Sequence, residues 1–472
     1  MRPHRMTAAV ALWWASLAVA ALPAEMDLVQ GWQAVVAHAP GYAALTAQAA
    51  AGQTRAEQAR ALWRPQVMLA GGLGVGSQRT TTEGAGFAAP GFGTSQDVAF
   101  RIRIDAGLGT ALSLMVQQPL IGGSRQAGAR QLASMAHVAD LQGQAERQAL
   151  IWQLVESHVQ VLQARESVRV ADAEAEAAGR AAEAARARFD TGAAPVTAVH
   201  DARARQDLAR ARGLQARQSL AVAELAYRQL TGRPDAVPAR LGAPAEGAWA
   251  LGTESDWLAR ATEHGLARRM AAASVDLARA EVDKRAAAAT WSLDLVGRVS
   301  DERLRGDGPH ATQGQDARAS ARQQWVGLQM QVPLYTGGMD TAQHREASLA
   351  LEAALARQQE VDELMARDVR GAWLGVQTAQ AQVEATRQAQ RSAQARLDAT
   401  RTGFEVGHRT VLEWLDAERD ALQADLQAMV AGHDLVLGRL RLAALAGSLD
   451  EEALSRASAQ AMSNEAGRRT GP

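Results

Sequence analysis

The sequence predicts an α+β membrane protein: a trimer whose twelve transmembrane β-strands, four from each chain, form a barrel continued by a long α-helical coiled-coil barrel. Three observations lead there. The chain carries one plan twice, and each copy contains two short segments alternating apolar with small or polar residues. Each copy then runs for more than 60 residues without a proline.

Arg2 and Arg5 precede an uncharged, largely apolar run from Thr7 to Leu22 that exits among small residues. Residues 1–24 therefore read as a signal peptide, with cleavage expected after Ala20 or Ala24. As a retained anchor the run is too short to span a bilayer comfortably. Farther along, no stretch of about 20 apolar residues could form a membrane-crossing helix. The 472 residues include no Cys, which excludes disulfides, thiolate metal sites, a Cys nucleophile and a lipid-modified N-terminal Cys. A net charge of −1 offers no basic field for nucleic acid. Aromatics at 4%, set among abundant Ala, Gln, Arg and Glu, point to long helices rather than to compact domains.

Shifted by 215 residues, the chain matches itself without a gap over more than a hundred positions. Gly122-Gly123 falls on Gly337-Gly338, Phe189 on Phe404, Gly192 on Gly407 and Val196 on Val411. Asp201-Ala202 falls on Asp416-Ala417, and Leu225, Leu230 and Gly232 fall on Leu440, Leu445 and Gly447. Pro119-Leu120 and Pro333-Leu334 correspond one residue out of step. Ala-rich helices share residues by chance, but Phe and Gly punctuation in one order marks a true repeat. The expected organisation follows: a first repeat over 25–232, an equatorial connector over 233–257, a second repeat over 258–447 and a flexible tail over 448–472. Each repeat reads as a helix, two strands and a long helical hairpin.

The strands are expected at about 65–76, 108–118, 291–300 and 325–334. Val67, Leu69, Gly71, Leu73 and Val75 make an apolar face opposite Gln66, Met68, Ala70 and Gly72. Leu108, Leu112, Leu114 and Val116 oppose Gly109, Ala111, Ser113 and Gln117. In the second copy Trp291, Leu293, Leu295 and Val299 oppose Ser292, Asp294 and Arg298, and Val326, Leu328, Met330 and Val332 oppose Gly327, Gln329 and Gln331. Length and alternation are those of transmembrane strands. A half-buried soluble sheet explains any one segment equally well; four in matched places favour the membrane. An open four-stranded sheet cannot sit in lipid, because its edge backbone groups would go unpaired. Several chains must pool strands. Two would give eight, filled by their own side chains, whereas three give twelve and leave a lumen. The Gly- and Thr-rich stretches 77–107 and 301–324 are expected as loops between strands, on the outer side of the membrane.

Proline is absent from Ser124 to Asp190 and from Thr341 to Thr402. At 1.5 Å per residue, 60-odd helical residues make a rod of about 90–100 Å, which must lie along others like itself. In the last helix Leu415, Leu422, Met429 and Val436 repeat every seven residues, with Leu412, Leu426 and Leu440 in the complementary seam, the 3.5-residue period of supercoiled helices. Hairpin tips are expected near 189–196 and 404–411.

Two repeats of strand pair plus helical hairpin, each with an F-x-x-G tip followed by a Val- and Asp-bearing helix, resemble the TolC family of outer-membrane efflux proteins. The resemblance spans about residues 28–447, and its most specific part runs from Phe404-Glu405-Val406-Gly407 to Trp414-Leu415-Asp416-Ala417. It implies a homotrimer whose barrel sits in outer-membrane lipid and whose helical tunnel crosses the periplasm, working with an inner-membrane transporter and a periplasmic adaptor. More narrowly, the chain resembles the outer-membrane component of a type I toxin exporter, as for cyclolysin. That implies an ABC transporter as partner and an exported protein as cargo.

The resemblance also implies functional residues. Glu413 and Asp416 match an acidic pore constriction. Their i, i+3 spacing places both on one helix face, although acids are favoured near a helix N-terminus in any case. Arg409 matches a gating arginine. With Ala198 in place of an acid and Phe404 in place of a Tyr, its partner falls to Asp201 or Glu405. Phe189, Gly192, Phe404 and Gly407 mark the tips that contact the adaptor; Gly there also serves simply to end a helix and turn the chain.

Two other readings stay open: a small-molecule efflux channel, and a periplasmic adaptor or coiled-coil scaffold. An enzyme is not expected, nor a cofactor or a metal. Lys284 is the only lysine, so no nucleotide loop with its Lys exists, and no His-rich metal motif or nucleophile elbow occurs.

Overall fold

A computed structural model of the chain describes residues 25–91, 93–241, 251–307, 317–406 and 408–458. The signal peptide read over 1–24 and the tip residue Gly407 lie outside the described residues. In chain order the elements are β1 (Glu25–Met26), α1 (Leu28–His38), α2 (Pro40–Ala61), β2 (Gln66–Ala89), β3 (Gly93–Gly122), α3 (Gly123–Asp190), α4 (Val196–Thr231), β4 (Val237–Pro238), α5 (Glu254–His264), α6 (Leu266–Ala287), β5 (Ser292–Asp307), β6 (Ala317–Gln331), α7 (Met339–Glu405) and α8 (Val411–Leu445). The described residues fall into two compact units, one drawn from 1–48, 143–269 and 361–472, the other from 49–142 and 270–360.

The repeat is visible element by element. Helices of 11 and 22 residues open each copy, and hairpins of 68 and 36 residues in the first answer hairpins of 67 and 35 in the second. Gly232 and Gly447 occupy matched positions, with φ of 67° and 72°. Against them lie His38 and His264, the matched last residues of α1 and α5, close enough that a Cβ would collide. Both the left-handed backbone and the close approach require glycine.

The sheet belongs to the second unit. Its four strands pair antiparallel in the order β2-β3-β5-β6. Val67 lies opposite Val116, Leu69 opposite Leu114 and Leu295 opposite Leu328, so each strand's apolar side falls on one common face. That face is exposed within one chain, Val75 by 76% and Val326 by 78%. The opposite side holds a buried polar lock: Asp294 accepts hydrogen bonds from Gln117 at 2.8 Å and from both terminal nitrogens of Arg125 at 2.6 and 3.1 Å. At Pro119, which has no N–H for the ladder, the β3–β5 register slips by one residue.

The strands run longer than the alternation suggested. The stretch 77–107, expected as a loop, is mostly a β-ribbon that pairs out to Ala89 opposite Gly93. In the second copy the strands likewise reach Asp307 and restart at Ala317. In the ribbon each strand supplies the other's backbone hydrogen bonds, and Ile104 is fully buried there; the alternation of Val98, Phe100, Ile102 and Ile104 with Ala99, Arg101, Arg103 and Asp105 is its signal in the sequence.

The helical unit packs around Leu28, Trp32, Val35, Ile151, Leu154, Tyr227 and Leu440, all buried. His158 lies fully inside, its Nε2 2.8 Å from the Ala239 carbonyl. Burial pushes the His158 and His433 imidazoles down to about 4, so both are neutral at neutral pH. The seam of α8 is deep only towards its end: Leu415, Leu422 and Met429 are half-buried, whereas Val436 and Leu440 are buried, and Ala417, Ala421, Ala424 and Ala431 are buried off the seam. Near the tip those small residues let helix backbones approach, leaving Leu415 and Leu422 to flank the contact.

A further correction concerns the tail. Residues 451–458 form a helix, and Leu449, Ala453, Leu454 and Ala457 join the main core. Glu451 accepts a hydrogen bond from Trp32 Nε1 at 3.1 Å. The stretch looked polar because only one side of a short helix carries apolar residues. Leu454 is fully buried, so Leu454→Ala is expected to cost about 2–5 kcal/mol. Ending the chain at Ser448 is expected to lower the thermal transition further, whereas ending it at 460 should not. Unchanged melting on truncation at Ser448 would contradict this packing.

Candidate functional site: the hairpin tips

The first tip links α3 to α4. The chain leaves α3 through Gly192 N–H to the Phe189 carbonyl (2.9 Å) and Ala193 N–H to the Arg188 carbonyl (2.8 Å). Gly192 has φ 76°, the left-handed conformation that closes a helix. Pro195 precedes α4 and provides no side-chain cap. Phe189 is partly exposed and lies 5.9 Å from the Arg186 guanidinium, which also pairs with Asp190 at 3.0 Å.

The second tip is built differently. Both His408 N–H and Arg409 N–H reach the Gly403 carbonyl, at 2.8 and 3.1 Å, turning the chain back. Thr410 then caps α8: its hydroxyl accepts from Glu413 N–H at 3.2 Å while Glu413 Oε2 accepts from Thr410 N–H at 2.8 Å, a reciprocal capping box. Phe404 stacks on Trp414 with ring centroids 5.4 Å apart, so the aromatic residue of the F-x-x-G motif braces the turn across its two helices.

Arg409 donates to Glu413 Oε1 at 2.8 Å. This replaces the partners expected for it: Glu405 pairs with Arg401 at 3.3 Å, and Asp201 is exposed on α4. The physical reason is local, since i, i+4 spacing and a shared helix start make Glu413 the nearest acid. Hydrogen bonds from the Thr410 backbone, Arg409 and the Thr410 hydroxyl, in that order, hold the Glu413 carboxyl below its ordinary value. Asp416 lies one turn farther on, 3.6 Å from Arg419.

Glu413 and Asp416 therefore share a face but differ in environment. Asp416 lines a groove between the two hairpins with Leu412, Leu415 and Leu422 of α8, Ala181 of α3 and Leu208 of α4. Arg180 of α3 reaches Glu418 of α8 at 3.4 Å across that groove. The stacking of Trp414 on Phe404 was not foreseen from the sequence, although an aromatic ten residues past Phe404, across a predicted turn, was a usable signal. The T-x-x-E box at Thr410 was equally legible.

A sheet with one exposed apolar face, joined in each repeat to a long helical hairpin, defines an outer-membrane channel. The chain belongs to the outer membrane efflux protein family, which it matches over residues 32–233 and 257–448. It is 30% identical over 318 residues to the outer membrane protein TolC of Vibrio cholerae, covering 67% of this chain and 72% of that protein. It is 26% identical over 365 residues to the alkaline protease secretion protein AprF of Pseudomonas aeruginosa, covering 75% and 73%. Among solved structures, the Campylobacter jejuni CmeC outer membrane channel has the same fold, with a TM-score of 0.71 at 14% identity over 92% of this chain and 89% of that one. The protein is thus a channel of the outer membrane, not an enzyme.

The tip geometry makes a pH prediction. Because the folded Glu413 carboxyl titrates below its ordinary 4.5, its support of α8 is complete above that value and is lost as pH falls through the lowered one. Amide exchange in the first turn of α8 should therefore quicken more than intrinsic rates require below about pH 4.5. Thr410→Ala should quicken it already at pH 7 and flatten the dependence; an unchanged profile would show that the box does not hold the turn.

Proposed function

We propose that the protein is the outer-membrane channel of a type I secretion system. In this reading it is a homotrimer that exports a protein from the cytoplasm, working with an inner-membrane ABC transporter and a periplasmic adaptor. The open sheet carries the assembly: β2 and β6 each have a neighbour on one side only, and lipid offers no substitute for the missing one. Twelve strands from three chains close a barrel with a lumen, which eight from two would not. The apolar face meets outer-membrane lipid, the helices occupy the periplasm, and the tips at Phe189, Gly192, Phe404 and Gly407 meet the adaptor.

Protein cargo is supported by the likeness to a relative named for protease secretion and by the absence of Cys, which leaves no lipid-anchor site. A small-molecule efflux channel is the second reading, supported by the family as a whole. Deleting the gene separates them. Loss of one abundant extracellular protein, a toxin such as cyclolysin, with drug susceptibility unchanged is the expected result; increased susceptibility with full secretion would favour efflux.

Glu413 and Asp416 form the constriction in this proposal, and Arg409, paired with Glu413, and Asp201 belong to its gate, so three chains bring six carboxylates to one ring. Such a ring attracts cations. Since Arg409 already neutralises Glu413 at 2.8 Å, Asp416 supplies most of the free negative charge. In planar bilayers a trivalent cation added on the periplasmic side should block wild type, Glu413→Ala should lose part of the block, and Glu413→Ala/Asp416→Ala should lose most of it. Equal block in all three would place these carboxylates away from the pore.

A further inference from the structure

One extra residue in β3 turns the apolar side of that strand over. Towards α3, Val116, Leu114 and Leu108 lie opposite Val67, Leu69 and Val75 and share their exposed apolar face. Gly76 then pairs with Gly107, but the next pair is Gln78 with Ile104, so β3 spends three residues where β2 spends two. Such a bulge exchanges the faces on which odd and even residues of the strand lie. The apolar residues of β3 nevertheless stay even-numbered beyond it, at Ile104, Ile102, Phe100 and Val98. No further residue is added to β3 before Val98, which pairs with Ala85. The apolar run therefore continues on the other face.

Contacts at the bulge fix which face that is. Gly109 lies opposite Leu304, on the side away from Leu108. A Cβ on Gly109 would meet Leu304 Cδ1 at 3.2 Å, and one on Gly107 would meet Ile104 Cγ2 at 2.9 Å and Leu304 Cγ at 3.0 Å. Ile104 thus packs with Leu304 on that side, and it is fully buried. A Cβ on Gly306 would strike the Gly107 backbone. Glycine at 107 and 306 is what admits this close approach.

The consequence depends on the trimeric barrel proposed above. There the exposed apolar band meets lipid, so the face carrying Ile104 and Leu304 turns towards the lumen. Past the bulge an apolar stripe without lipid to cover it looks across the axis, where the same stripe of the other copies stands. Twelve strands about 4.8 Å apart and tilted about 40° enclose a radius of about 12 Å. From Ile104 to Val98 the strand advances six residue rises, about 20 Å, enough to reach the axis. On β2 the residues opposite Ile104, Ile102 and Phe100 are Gln78, Thr80 and Thr82. The apolar part is therefore one strand wide, which suits a contact between ribbons.

We propose that the β2–β3 ribbons of the three copies pack together through residues 98–104 of β3 and close the barrel at the end away from the helices. The stripe is incomplete in one chain and finds its partner in the others. This closure is apolar and stands apart from the acidic ring at the hairpin tips, so the channel has a second gate.

The chain has no Cys, so one introduced thiol reports without background. Full-length protein in detergent would carry Val98→Cys on the stripe or Ala99→Cys on the opposite face, and be mildly oxidised. A disulfide needs Cα atoms within about 7 Å. A non-reducing gel should show two copies joined through Val98→Cys and a third left single, with Ala99→Cys unlinked. A second measurement serves if Val98→Cys does not assemble. Ser113→Cys, placed opposite Ser300 on the lumen face, would be labelled with a bulky maleimide. Adding Val98→Asp, which sets like charges together where the ribbons meet, should quicken that labelling at least tenfold. In a protein that sediments as a trimer, equal linkage at 98 and 99, linkage at neither, or labelling unchanged by Val98→Asp would overturn the proposal and leave the channel reading standing. Sedimentation as a monomer would overturn both.

Discussion

A peptide group in hydrocarbon must find its hydrogen-bond partner within protein, and a four-stranded sheet leaves a row of such groups along each edge strand. That constraint organises the rest of the chain. It forbids a lone copy in the membrane, so the edges of β2 and β6 have to be met by other copies. Once copies assemble around an axis, the hairpins attached to each strand pair are brought alongside one another. This suits α3 and α7, which run 68 and 67 residues. Such lengths bury too little within one chain; correspondingly, Leu349 and Leu374 of α7, and Leu214 and Leu225 of α4, remain more than half exposed here. The alanine positions of α8 fit the same demand, because closely approaching backbones leave larger side chains free for neighbours.

Duplication supplied two hairpins on one plan, and the two tips show what the plan leaves free. Both end their first helix by backbone hydrogen bonds to a carbonyl in the last turn. The first then enters α4 through Pro195 without a side-chain cap, while the second enters α8 through a full capping box. The first tip is thus shaped by backbone alone. At the second, Thr410, Glu413, Arg409, Phe404 and Trp414 tie turn and helix start into one set of contacts, so a change at any of them reaches the others.

Much of this was legible in the sequence, for identifiable reasons. Glycine and phenylalanine punctuation exposed the repeat, as at Gly232 and Gly447, where the close approach of His38 and His264 admits no other residue. Period-two alternation located the strands where one side faces an apolar surrounding. Past Val75 the same signal was present and went unused, since Val98, Phe100, Ile102 and Ile104 alternate with Ala99, Arg101, Arg103 and Asp105, and Ile104 is fully buried. The tail was misread because Leu449, Ala453, Leu454 and Ala457 are too few and too spread to stand out without the core they complete. Arg409 was assigned partners by analogy with a family pattern, while the i, i+4 acid beside it was the nearer choice.

Glu413 illustrates how stability and function become entangled at such a site. Its carboxylate satisfies the backbone at the start of α8, neutralises Arg409 and, in the assembled channel proposed here, contributes to a ring of charge. These roles pull against one another. A carboxylate engaged by three donors is held ionised yet has less field to offer a passing ion, whereas Asp416 makes only a 3.6 Å contact with Arg419 and keeps more of its charge available. Three copies brought together would raise the pKa of whichever acids crowd most closely. The capping donors oppose that rise at Glu413. The ring would then consist of three acids tied to their own helix starts and three others, a turn farther on, each beside Arg419.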